Sequence, residues 1–128
     1  MNDSTVARNV FGAPLTPCCG VTRTGFWRDG FCRTGPQDVG RHVVCAVVTD
    51  AFLEFSRSRG NDLVTPMPQY DFPGLSAGDR WCLCAGRWLE AYQAGCAPPV
   101  DLEATEKSAL EIVPMGALQA YAITPDAD

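Results

Sequence analysis

Two short segments hold four of the seven cysteines and the single histidine. One is TGFWRDGFCRTGPQDVGRHVVC, Thr24 to Cys45; the other is GDRWCLC, Gly78 to Cys84. Thiolates and imidazole are the usual ligands of a structural zinc site. Cys82, Cys84, Cys45, Cys32 and His42 are therefore candidate metal ligands, with Cys18 a further candidate and zinc the metal such donors favour. Cys82 and Cys84 share one face of an extended strand, their Cα atoms about 6.5 Å apart. That is long for a disulfide, and sharing one metal needs a local bend. His42 and Cys45 fall on opposite faces if both lie on the strand, so His42 joins the set only from a preceding loop.

The same residues suit thiol chemistry. A cysteine becomes reactive beside a positive charge or a helix N-terminus. Arg80 and Arg87 flank the Cys-x-Cys pair, and Cys32 lies beside Arg33 and near Arg28. A sulfenic acid sensor or a thiol-transfer enzyme would use such surroundings. The competing role is packing, since free cysteines often serve as small buried hydrophobes. A third chemistry is a general base, His42 oriented by Asp29, Asp38 or Asp50. Ser56 lies mid-helix and no GxSxG elbow exists. Neither GxGxxG nor GxxxxGK[ST] occurs, so no nucleotide cofactor is indicated. Catalytic residues are left unassigned.

A polar set accompanies these groups: Arg28, Asp29, Asp38, Asn61, Asp62, Asp79 and Arg80, with Arg59 nearby. Side chains of this kind either line a site or satisfy loop backbone that lacks a regular ladder. Asp79 is placed to hold the start of the second strand, and Asn61-Asp62 to anchor the loop before it.

The elements that must position these residues follow from pattern. VVCAVV, Val43 to Val48, is an apolar β-branched run and reads as a strand covered on both faces. Thr49 and Asp50 suit a helix start. AFLEFSRSR follows, with Phe52 and Phe55 facing inward and Gly60 as the residue that ends it. Residues 61–79 contain Pro66, Pro68 and Pro73 and read as a long irregular loop, with Leu63, Tyr70, Phe72 and Leu75 sealing the core. WCLCA, Trp81 to Ala85, is a second strand, with Trp81, Leu83 and Ala85 on one face and the two cysteines on the other. RWLEAYQA is a helix stopped at Gly95. Thr105 caps a helix over EKSALEIV, and Pro114 opens a last helix, MGALQAYA. Near the N-terminus, Asp29-Gly30 is a turn signal between Phe26-Trp27-Arg28 and Phe31-Cys32-Arg33, a short hairpin. The expected fold is α+β: a small sheet, three or four short helices and a loop-rich N-terminal third.

Composition sets the outer bounds. The 128 residues are 46% hydrophobic and 20% charged, which suits a single folded domain over residues 1–128 with frayed termini. Net charge is −5, and lysine occurs only at Lys107. No basic stripe is present, so nucleic acid is not an expected partner. No apolar run has the ~20 residues a membrane helix needs. The first residues, MNDSTVARNVFG, lack the apolar core of a secretory signal. The expected compartment is the cytoplasm, where thiols stay reduced. The remaining alternative is a protein-interaction module presenting Trp27, Tyr70 and Phe72.

Across TGFWRDGFCRTGPQDVGRHVVCAVVTDAFLEFSRSRGNDL, FPGLSAGDRWCLCAGRW, GCAPPVDLEAT and ALEIV, the chain resembles a small, mainly bacterial family of uncharacterised proteins, domain of unknown function 2237. The resemblance runs from about Asn9 to Ile123. It implies a single-domain soluble protein and no particular reaction. Relatives often carry histidine just after the Ala-Thr of this region; here Glu106 stands there.

Overall fold

The computed structural model of the chain describes residues 8–18, 31, 32, 34, 41–70 and 74–123. Their elements are strand β1 (His42–Val47), helix α1 (Asp50–Ser58), strand β2 (Arg80–Cys84), helix α2 (Ala85–Gln93) and helix α3 (Met115–Ala120). Short 3-10 turns occupy Pro68–Tyr70, Leu102–Ala104 and Lys107–Glu111. The architecture is α+β, as the sequence predicts. The hairpin expected around Asp29-Gly30 lies outside the described residues.

β1 and β2 pair antiparallel, with Cys45 opposite Cys82, Ala46 opposite Trp81 and Val47 opposite Arg80. A bulge between His42 and Val44 shifts the register, so that His42 pairs with Cys84. The free edge of β1 is covered by the chain that follows α2. Val47 donates to the Pro99 carbonyl (2.9 Å), Asp101 to the Cys45 carbonyl (2.8 Å) and Glu106 to the Val43 carbonyl (2.9 Å). This cover satisfies edge groups that would otherwise stand unpaired. The N-terminal segment lies beside it in turn, since Lys107 donates to the Arg8 carbonyl (2.8 Å) and Thr16 to the Glu103 carbonyl (3.1 Å).

α1 starts where Thr49 accepts from the Phe52 amide (3.1 Å) and ends at Arg59, with Gly60 at φ 91°. A positive φ suits glycine after a helix. The inward face is Phe52, Leu53 and Ser56; Phe55 is only half-buried. α2 begins at Ala85, two residues before the sequence pattern suggests, because Cys84 already serves as its N-cap. The second strand correspondingly ends at Cys84 rather than Ala85. Trp88 is fully buried and donates from its indole nitrogen to the Pro98 carbonyl (3.0 Å). Tyr92 and Tyr121 pack against its ring, the first stacked and the second edge-on.

One expectation fails after Pro99. Thr105 does not cap a helix over 106–113. The cap is Glu106, whose carboxylate accepts from the Ser108 amide (2.9 Å), and the element is the 3-10 turn Lys107–Glu111. Thr105 is instead fully buried against β1. The apolar residues Ala109 and Val113 do pack inward, so the periodic signal marked burial while the tighter turn set the helix type.

The sheet separates two apolar clusters. Val44, Ala46, Trp81 and Leu83 join the main core with Phe52, Trp88, Val100 and Leu118. Cys45 and Cys82 belong to a second cluster with Cys18, Cys32 and Ala104. Strand alternation explains the division, because Cys45 and Cys82 are neighbours across one rung.

Candidate thiol centre

The second cluster is built of two disulfides side by side, Cys18–Cys45 and Cys32–Cys82, with Cα separations of 5.7 and 5.3 Å. Each joins a strand cysteine to a cysteine from the residues that precede β1. Cys32, Cys45 and Cys82 have no exposed surface and Cys18 is 2% exposed. The sulfurs of Cys18, Cys32 and Cys82 lie within 4.8 Å of one another. Both disulfides are thus in mutual reach.

Arg80 stands at the margin of this centre, one alternation along from Cys82. Its Nη2 lies 3.6 Å from Cys45 Sγ, and its Nε donates to the Cys18 carbonyl at 2.6 Å. The same Nη2 donates to Asp101 in a short ion pair in which both side chains are about one-third exposed. Asp101 also accepts from the Glu103 amide (3.1 Å), capping the turn beyond it. Behind the strand, the buried Thr105 hydroxyl accepts from the Cys45 amide (3.2 Å) and donates to the Asp101 carbonyl (2.9 Å). Cys45 is therefore held by its disulfide, a cation and a buried hydroxyl.

Cys82, Cys45 and Cys32, singled out in the sequence, meet here. Cys84 and His42 pair beyond the Val44–Leu83 rung and stand apart from the group of sulfurs that share 4.8 Å. Cys84 is a half-buried free thiol at the head of α2, and Cys96 is the second free thiol among the described residues. Burial raises the Cys96 thiol above its ordinary value. The pairing of four cysteines departs from the expectation of reduced thiols. Its physical reason is the register, which sets Cys45 and Cys82 side by side where two further cysteines close on them.

The polar set divides. Arg28, Asp29 and Asp38 lie outside the described residues, as do Cys19, Trp27 and Phe72 and the side chain of Tyr70. Of the rest, Arg59 pairs with Glu90 (2.8 Å), and Asp62 and Asp79 hold backbone. Asp62 accepts from the amides of Val64 (2.9 Å) and Thr65 (3.1 Å) and from the Thr65 hydroxyl (2.6 Å). The Thr65 hydroxyl, then those two amides, hold its carboxyl below the usual value. Asp79 accepts from the Ser76 amide (2.9 Å), and its carbonyl accepts from the Val48 amide (2.9 Å). The Asn61 carbonyl accepts from the buried Ser56 hydroxyl (2.7 Å), an internal bond for the only serine the sequence raised as a nucleophile. Among the described residues of this set, only Arg80 touches the cysteines.

Sequence reasoning did not find Asp101 or the role of Thr105. Neither is marked by spacing; both act from the segment along the edge of β1, where Asp101 pairs with Arg80 and both meet the Cys45 backbone. Cys18 was visible only as a cysteine, since its partner is 27 residues away.

No helix among the described residues is long and apolar enough to cross a membrane. The profile of one family, described as uncharacterized protein conserved in bacteria (DUF2237), matches residues 8–122. No curated protein matches the sequence.

Proposed function

The chain belongs to the DUF2237 family of uncharacterised bacterial proteins, and we propose that it works as a small thiol–disulfide redox module centred on Cys18, Cys32, Cys45 and Cys82. The observation that carries this reading is the cross-strand pair Cys45–Cys82, whose two disulfides place three sulfurs within 4.8 Å. A purely structural pair of staples has no need of such proximity. Exchange between disulfides does need it, because a thiolate freed from one must reach a sulfur of the other.

Arg80 gives the centre a direction. An external dithiol, the reductant class, attacks Cys18 Sγ, and the electron pair of the broken bond leaves on Cys45. That thiolate forms beside the Arg80 guanidinium, and a nearby cation lowers a thiol's pKa and favours its departure. The second thiolate of the reductant then closes the reductant's own disulfide and frees Cys18. The Cys18 thiolate lies within reach of Cys32 and Cys82. Its attack on that disulfide joins Cys18 to one of them and releases the other as a thiolate, and a second dithiol reduces the disulfide that remains, so that four thiols are freed.

The test is a thiol count on the folded protein before and after equilibration with a graded dithiol buffer. The reading requires four thiols to appear and disappear reversibly while the fold persists. If the disulfides yield only when the protein unfolds, they are staples and the redox reading fails.

A further inference from the structure

We propose that the four thiols of the reduced centre form a site for one thiophilic divalent cation of the zinc class, and that disulfide formation expels it. This rests on the redox reading above, because it needs the four thiols freed together.

Zinc binds thiolates at about 2.3 Å in a tetrahedron, which sets its sulfurs about 3.8 Å apart. Three sulfurs of the centre already lie within 4.8 Å of one another, and Cys45 Sγ is bonded to that of Cys18. Opening each disulfide lengthens one sulfur–sulfur separation toward the tetrahedral value, which rotation of the cysteine side chains supplies. The Cα pairs, 5.7 and 5.3 Å apart, stay where the strands put them.

Burial and charge point the same way. Structural zinc sites are closed to water and fill all four positions with protein ligands, and no cysteine of this centre exceeds 2% exposure. Four thiolates around a divalent ion leave excess negative charge. The guanidinium of Arg80, fixed by Asp101 at the edge of the cluster, offsets part of it. Reduced and without a metal, four thiols buried together could not all ionise, since several buried anions with one cation beside them are costly. Metal binding removes that cost and releases the protons to solvent.

Oxidation reverses the binding. Two thiolates give up an electron pair as each disulfide forms. A peroxide, the oxidant class, takes that pair with two protons and leaves as two waters. The cation, with no ligand retained, is released unchanged.

Cobalt(II) reports the site directly. Protein reduced anaerobically with a phosphine should take up one cobalt per chain, with the intense d–d and sulfur-to-metal absorption of a tetrahedral thiolate site. Alkylation with cobalt or zinc bound should spare Cys18, Cys32, Cys45 and Cys82 and modify Cys84. Peroxide should bleach the spectrum and free the metal as the thiols disappear. Cys84→Ser and His42→Ala should leave the spectrum unchanged, and Cys82→Ser should alter it. Four free thiols with no tetrahedral cobalt spectrum would overturn the metal site and leave the redox reading standing. A spectrum abolished by Cys84→Ser would also overturn it. Failure to free four thiols in the folded protein would instead count against the redox reading itself.

Discussion

Arg80 and Cys45 lie on different strands two rungs apart, and the guanidinium Nη2 of one lies 3.6 Å from the sulfur of the other. That contact places a cation at the sulfur that leaves when the Cys18–Cys45 bond opens. Differences in leaving-group acidity translate into differences in exchange rate.

Replacing Arg80 by Met should therefore slow opening of the Cys18–Cys45 disulfide by an external dithiol at fixed pH, because the cation beside the leaving sulfur is gone. Arg80→Lys should restore part of the rate, because it keeps the charge but not the bond geometry. A purely architectural Arg80 would change stability without changing that rate.

The two disulfides close chain segments of different length, with separations of 27 residues for Cys18–Cys45 and 50 for Cys32–Cys82. On chain-entropy grounds, paired Cys→Ala removal should cost about 3.5 kcal/mol for the first and about 4 kcal/mol for the second. Denaturant unfolding of the oxidised proteins measures both. The shorter loop costing clearly more would point to interactions other than loop closure.

Thr105→Val keeps shape and burial but removes the hydroxyl. The Cys45 amide then loses its acceptor at 3.2 Å and the Asp101 carbonyl loses a donor. A buried polar group left unpaired costs about 1–3 kcal/mol. Thr105→Ser should recover most of that loss, which separates the hydrogen bonds from packing of the methyl group.

Gly74 has φ 83°, and a Cβ there would sit 2.4 Å from the Val64 carbonyl oxygen. Gly74→Ala should force the long loop away from Leu63, whose carbonyl accepts from the Leu75 amide at 2.8 Å. The expected cost exceeds the ~1 kcal/mol of an ordinary glycine replacement. Hydrogen exchange at the Leu75 amide should speed up more than exchange in β1.

Asp62 should show pH dependence of one sign. Its folded pKa is lowered, so its contribution is present above the unfolded value and is lost as pH falls through the folded one. Its carboxyl resonance should titrate below the usual aspartate range. Thr65→Val should bring it back toward that range, because the Thr65 hydroxyl is the largest cause.

Where function can be read from local pattern, the sequence was informative. VVCAVV reads as a strand covered on both faces and WCLCA as an alternating one, and both strands form, but that Cys45 lies opposite Cys82 follows from the pairing register, which neither run specifies. Thr49 and Gly60 bracket α1 through chemistry confined to a few residues. The bulge before Val44 has no such marker, and it moves His42 opposite Cys84 instead of toward Cys45. The pairing of Cys18 and Cys32 with the sheet depends on loops that have no period to read. Thr105 shows the same limit: a residue suited to capping is drawn instead to a buried amide on β1.

The cover on β1 has a temporal meaning. A chain made from its N-terminus exposes Cys18, Cys32, Cys45 and Cys82 to the surrounding redox medium before Asp101, Thr105 and Glu106 exist to close over the strand. During that interval the cysteines are unshielded and free to pair wrongly. The residues that close over β1 arrive only after all four of these cysteines, and the segment from residue 8 can dock only after residues 103 to 107 are made. Nascent chains cut short of Val100 should therefore carry scrambled cysteines, while the complete chain sorts them.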